Sequence, residues 1–194
     1  IYGPLSRWTR WWLKRRDLNG NGLPEYFHGN DSGWDNASVF EKGVPVESPD
    51  LCAYLALQME TLSEIALKTG RKTDSEKWKL KSSALIDRMM DEFWLGDRFG
   101  ARLNGELING GDSLLLYMPL LLGRRLPPPV LAQLVAGLKV KDRFLTANGF
   151  ATEGVGSEFY EEDGYWRGPV WAPSTLILAE GLMASGEHAF AKDV

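Results

Sequence analysis

Apolar residues recur every three or four positions along most of the chain, a period that predicts helices. In ESPDLCAYLALQMETLSEIALKTG, Leu51, Tyr54, Leu55, Leu62, Ile65 and Ala66 share one face. Ser48 is a candidate N-cap, Pro49 suits the first helical position, and Gly70 supplies a stop. TDSEKWKLKSSALIDRMMDEFW follows, with Thr73 and Glu76 spaced as a capping box and Trp78, Leu85, Met89 and Phe93 as an apolar stripe. Only a few residues join these helices, so they are expected to be antiparallel neighbours.

DSLLLYMPLLLG is apolar nearly all round, which predicts a buried helix, with Asp112 as its N-cap. PPPVLAQLVAGLKV predicts a partner helix after a short connection. Single helices are predicted over residues 4–16 and about 172–185. The stretches between, 17–46, 95–112 and 141–171, lack helical periodicity, and LGDRFGARLNGELING suits a small β-hairpin. No parallel-sheet pattern is present. Helical hairpins whose connections carry the polar and aromatic residues predict an all-α fold, an α/α toroid, in one domain over 1–194. Two hairpins with an unpaired helix at each end make about half of a six-hairpin ring.

Composition narrows the function classes. A net charge of −4 with no basic block argues against nucleic-acid binding. No apolar run approaches the ~20 residues of a membrane helix. The single cysteine, Cys52, excludes an internal disulfide and a cysteine-rich zinc site, and the expected location is cytoplasmic. The eight Trp and six Tyr suit a sugar-binding cleft, although most such rings in any protein are core.

The chemistry concentrates in RDLNGNGLPEYFHGNDSGWDN, residues 16–36. DLNGNG matches the opening of a calcium loop. Asp17, Asn19 and Asn21 place oxygens on alternate residues, Gly22 permits the turn, Leu23 can offer a carbonyl, and Glu25 follows. His28 stands where an EF-hand has its last Glu, so a further acid such as Glu47 would have to be brought in by the fold. A loop of Asx turns without metal has the same spacing. Further on, Asp31 and Asp35 are four residues apart, and Trp34 adjoins Asp35. A carboxyl against an aromatic ring can stay protonated and act as a general acid. Both carboxylates could equally bind loop amides.

In FYEEDGYWRGPVW, Tyr165, Trp166 and Trp171 offer flat faces for a sugar ring. Arg167 can donate a fork of hydrogen bonds, or serve in a structural ion pair, and Gly168 with Pro169 fixes the turn. Asp50 reads as either dipole-stabilising or cleft-facing, and His28 as a loop hydrogen-bonder or a site residue.

DLNGNGLPEYFHGNDSGWDNAS, SPDLCAYLALQMETLSEIA and GYWRGPVWAPSTLI together resemble the catalytic domain of glycoside hydrolase family 63 and its relatives, nearest to the mannosylglycerate-hydrolase-like branch. The resemblance implies a six-hairpin α/α toroid and inverting hydrolysis of α-linked gluco- or manno-configured sugars. It implies that Asp35 is the general acid and that Trp166, Arg167, Gly168 and Trp171 lie in the sugar cleft. It also strengthens calcium at Asp17 to Glu25. Asp31 is expected to orient sugar hydroxyls.

The chain departs from that pattern in lacking a matching general base. Glu153, Glu158, Glu161 and Glu162 precede the Trp-Arg-Gly-Pro-x-Trp element, and Glu187 follows it without the family's surroundings. The expectation is a piece of a larger hydrolase that is inactive alone and needs the missing toroid segments or self-associates. Apolar stripes are then expected uncovered at Trp8, Trp11, Trp12 and Leu13, and at Leu176, Leu178 and Leu182. A non-hydrolytic carbohydrate-binding remnant is the alternative. A sugar epimerase would use paired His, and the chain has only His28 and His188.

Overall fold

The computed structural model describes residues 1–108 and 111–194. Asn109 and Gly110, which end the stretch predicted to hold a hairpin, lie outside the described residues.

Helix α1 (Tyr2–Arg15) packs on α2 (Pro49–Lys68), and α2 forms a hairpin with α3 (Lys72–Phe93). Ser82 Oγ donates to the Ala56 carbonyl and Ser63 Oγ to that of Ser75, so the two helices run antiparallel as predicted. Their joint closes at Gly70, whose φ of 76° lies in the left-handed region, and the Arg71 amide returns to the Ala66 carbonyl. This tight reversal starts α3 directly after Arg71, before the expected cap at Thr73. Thr73 therefore lies inside the first turn and the predicted capping box does not form. Trp78, Leu85, Met89 and Phe93 are buried as a stripe.

The apolar residues from 114 to 123 are mostly buried as predicted, but they lie in a 3₁₀ segment, Leu114–Arg125, with a break at Gly123. Pro119 lacks the amide hydrogen that a continuous α ladder would need there. Ser113, not Asp112, caps this segment: its Oγ accepts from the Leu115 amide at 3.3 Å. Asp112 instead pairs with Arg143. Helix α4 (Pro128–Leu138) leans on the 3₁₀ segment, as does α5 (Ala172–Ser185), and the short α6 (His188–Asp193) folds back on α5. Gly181 of α5 lies so close to Leu120 that a larger residue would fit only with a shift. The row α2, 3₁₀ segment, α5 thus carries α3, α4 and α6 as a second layer.

The ends of the hairpins are joined by extended pieces. Four two-residue strands form one antiparallel sheet in the order β1 (Glu25–Tyr26), β2 (Val46–Glu47), β3 (Arg102–Leu103) and β4 (Glu106–Leu107). Asn104 and Gly105 turn β3 into β4 with φ of 53° and 82°, the positive pair that a tight hairpin requires. Strands β5 (Leu145–Thr146) and β6 (Gly149–Phe150) make a second hairpin.

The expected uncovered stripes are present only in part. Trp8, Trp11 and Leu176 are exposed, at 52%, 38% and 62%. Trp12, Leu178 and Leu182 are buried, Trp12 against Tyr26 with ring centres 6.1 Å apart. A helix has more than one apolar face, and these three point inward. No helix among the described residues is long and apolar enough to cross a membrane.

Candidate active site

Two loops meet to form the candidate site. The first begins with a 3₁₀ turn, Gly29–Asp31, which His28 caps by accepting from the Asn30 amide at 3.1 Å. Asp31 closes the turn from the other side, with Oδ2 accepting from the Phe27 and His28 amides at 2.9 and 3.2 Å. Arg16 Nη1 lies 3.1 Å from the same oxygen. All these partners hold Asp31 in the loop, so its geometry is that of a residue shaping the turn. Gly33, at φ 77°, then redirects the chain, and the Ser32 hydroxyl accepts from the Trp34 amide at 3.0 Å.

The second loop, residues 160–171, is fastened to the first by Asn36. Its side-chain amide donates to the Gly164 carbonyl and accepts from the Trp166 amide, both at 3.0 Å. Its backbone carbonyl accepts from Arg167 Nε at 2.6 Å, and the Arg167 guanidinium also pairs with Glu41. Arg167 is therefore engaged as a clamp between the loops. Gly168 has a steric reason: a Cβ there would collide with the Glu161 carbonyl. Gly29 is likewise required, because its Cβ would collide with the Asp35 carbonyl.

The clamp stacks the aromatic residues into a wall. Trp34 lies 4.6 Å from Trp166, and Trp166 lies 4.8 Å from Trp171 with ring planes 15° apart. Trp34 is buried behind Trp166, while Tyr165 and Trp171 reach the surface. Tyr165 adopts φ 62°, a conformation unfavourable for a large side chain, and Trp171 Nε1 donates to its carbonyl at 2.8 Å. The Tyr165 hydroxyl donates to Asp35 Oδ2 at 3.2 Å. Asp35 is partly exposed at the edge of this wall, and the buried Trp166 Nε1 has no partner among the described residues. A carboxyl beside the surface-reaching rings of Tyr165 and Trp171 suits a polyhydroxylated ring.

The predicted cation loop lies directly before these elements. Glu25 and Glu47 are opposite each other in the β1–β2 ladder, which is how the distant Glu47 reaches the loop. Asn19 and Asn21 both donate to Glu47 Oε1, at 2.8 and 2.6 Å. Asp17 Oδ2 accepts from the Gly22 amide at 3.1 Å and Glu25 Oε2 from the Leu18 amide at 2.8 Å. Asp17 Oδ1 and Glu47 Oε2 are buried without partners among the described residues. Burial holds the Glu25 carboxyl above its ordinary value; the Leu18 amide opposes this, and the fields of Glu47 and Asp17 add to it. Among the described residues no three His, Cys, Asp or Glu side chains form a close metal cluster. The acids are spaced around the loop with two amides between them. Orphaned oxygens, mutually repelling acids and amides that can turn oxygen inward fit a hard cation with mixed oxygen ligands.

Other acids are engaged elsewhere. Glu153 is fully buried and accepts from Ser38, Ser157 and the Asp112 amide at 2.7, 2.6 and 2.5 Å. Glu187 pairs with Lys139 at 2.8 Å. Asp50 is fully buried rather than cleft-facing: it accepts from Tyr26 at 2.7 Å and from Ser48, and burial pushes its pKa up to about 6. Sequence reasoning missed Asn36. Its position beside Asp35 was the only available signal, because the loop residue it fastens, Gly164, lies 128 positions further on.

Solved structures share this fold. The mannosylglycerate hydrolase of Thermus thermophilus, a family 63 glycoside hydrolase, superposes in its glucose complex with a TM-score of 0.83 at 19% identity. That match covers 99% of this chain and 57% of the hydrolase. Its complex with Tris and D-glycerate gives 0.83 at 17% identity, over 99% and 60% of the two chains. A sialidase gives 0.84 at 13% identity, over 96% of this chain and 18% of its own. The chain thus spans less than two thirds of the hydrolase and folds as part of an α/α toroid. No curated protein matches it by sequence. The mannosylglycerate hydrolase MGH1-like glycoside hydrolase domain matches residues 1–194, and the chain belongs to that family.

Proposed function

We propose that this chain carries the acid half of an inverting glycosidase acting on α-linked glucosyl or mannosyl glycosides. The observation that supports this reading most is Asp35 at the edge of the aromatic wall, held by Tyr165. In this reading Asp35 protonates the glycosidic oxygen as its bond to the anomeric carbon breaks. Water attacks the opposite face and gives its proton to a second carboxylate about 6.5–9.5 Å away. None of Glu153, Glu158, Glu161, Glu162 and Glu187 matches the base of the resembled pattern, and Glu153 and Glu187 are engaged elsewhere, so we place that base outside these residues. Tyr165 and Trp171 offer their rings to the sugar with Trp166 packed behind them, Arg167 and Gly168 hold the wall in place, and Asp31 fixes the turn that presents Asp35.

The cation loop supports the same site. Calcium would be held by Asp17, Asn19, Asn21, the Leu23 carbonyl, Glu25 and Glu47, and would supply positive charge among repelling acids. The protein's own contribution is to bring Glu47 across the ladder and to hold the start of the acid turn.

The related hydrolase is known with glucose and with D-glycerate. α-Glucosides and α-mannosides of small hydroxy acids are therefore the first substrates to assay. Proton NMR of the intact protein should show the β-anomer as first product. An α-anomer first would overturn inversion. Sugar binding without turnover would favour the non-hydrolytic remnant, which the engaged state of Glu153 and Glu187 also fits. Residues 1–194 expressed alone should bind sugar weakly and hydrolyse nothing.

A further inference from the structure

Arg16 closes α1 and opens the cation loop, yet its side chain is directed at the acid turn. Its guanidinium lies 4.2 Å from the Phe27 ring centre, 5.0 Å from Trp11 and 5.5 Å from Trp12. Nη1 is 3.1 Å from Asp31 Oδ2, an ion pair without a well-aligned hydrogen bond, and Nη2 donates to Oδ1 at 3.4 Å. Both partners are mostly shielded, with side-chain exposures of 16% and 23%. The Arg16 carbonyl also accepts from the Glu25 amide at 2.5 Å, which fixes the root of the side chain.

We propose that Arg16 is a positioning residue for the general acid; the proposal rests on the hydrolase reading above. The chain of contacts is short. Three aromatic rings hold the planar guanidinium, which holds Asp31. Asp31 holds the Phe27 and His28 amides at the start of the turn. Within that turn Gly29 lies against the Asp35 carbonyl so tightly that no Cβ fits. A turn that loosens at Asp31 therefore lets the backbone of Asp35 drift. A misplacement of about 1 Å costs on the order of a hundredfold in rate. Arg suits this place and Lys does not, because a compact ammonium on a flexible stem cannot stack on the rings while reaching both carboxylate oxygens.

The test uses the intact protein with an alkyl glycoside, whose leaving group needs protonation, and a nitrophenyl glycoside, which needs it far less. Arg16→Met should lower kcat about a hundredfold on the first and less than about tenfold on the second. Arg16→Lys should recover only part of that contrast. Asp31→Asn, which keeps the side chain's shape, should show the same contrast if Arg16→Met folds poorly. Equal losses on both glycosides, or no loss, would overturn the catalytic consequence. Hydrogen exchange reads the turn without catalysis: amides of residues 27–36 should exchange about tenfold faster or more in Arg16→Met, with α2 and α3 unchanged. Unchanged exchange there would overturn the positioning itself. A wild type that hydrolyses neither glycoside, with the exchange contrast intact, would overturn the hydrolase reading and leave the positioning standing.

Discussion

The Tyr165 hydroxyl donates to Asp35 Oδ2 at 3.2 Å, joining two loops across 130 residues of sequence. Tyr165 makes this contact from a left-handed backbone, with its ring exposed beside the aromatic wall. Tyr165→Phe keeps the ring and removes the donor. In the proposed reaction Asp35 gains negative charge as it gives up its proton, so the lost hydrogen bond counts most in the transition state; about 1.5 kcal/mol there corresponds to roughly tenfold in kcat/KM. Steady-state kinetics of the intact protein measure it. Tyr165→Ala also removes the ring and should cost more.

Glu47 couples the loop 17–25 to the sheet, because it stands opposite Glu25 and accepts from both Asn19 and Asn21. Calcium at about a hundred times its Kd should stabilise the protein by about 2.7 kcal/mol. Scanning calorimetry with and without chelator should show that difference as a fall in Tm. Glu47→Gln should abolish the chelator's effect.

Asp50 makes stability depend on pH. Its folded pKa is about 6, above the ordinary carboxylate value of 3.8, because the group is fully buried. Between these values the folded chain keeps a proton that the unfolded chain loses. Its contribution is thus complete below about pH 4 and is lost as pH rises through 6, with a slope of up to about 1.4 kcal/mol per unit. Asp50→Asn should flatten that part of the stability profile, as denaturant unfolding across this pH range would show.

Gly29 and Gly156 make a matched pair. A Cβ at Gly29 would collide with the Asp35 carbonyl, whereas nothing lies within 4 Å of one at Gly156. Gly29→Ala should cost about 1–3 kcal/mol of stability and displace the acid turn, and Gly156→Ala should be nearly neutral. Denaturation of both variants checks this.

Periodic residues were legible because each reports its own burial. The stripe of α3 and the hairpin with α2 follow from spacing alone. The 3₁₀ winding of Leu114–Arg125 did not, because periodicity near Pro119 does not separate a broken α ladder from a tighter one. In the site, residue types with unusual chemistry stood out in the sequence, and the structure brings Asp35, Tyr165, Trp166 and Trp171 together. The division between wall and clamp was not legible. Residue type left Arg167 open between a ligand contact and an ion pair, and Asp31 between a ligand contact and loop amides; the partners that engage them, Asn36, Glu41 and Arg16, come from the fold.

The role proposed for Asp35 is delivery of a proton to a glycosidic oxygen. Asp35→Asn removes the proton and keeps the shape. In the intact protein, kcat on an alkyl α-glycoside should fall by about a thousandfold or more. On a nitrophenyl α-glycoside, which departs with little protonation, the fall should be smaller by about tenfold or more. Equal falls on both glycosides, or full activity in the variant, would contradict the account.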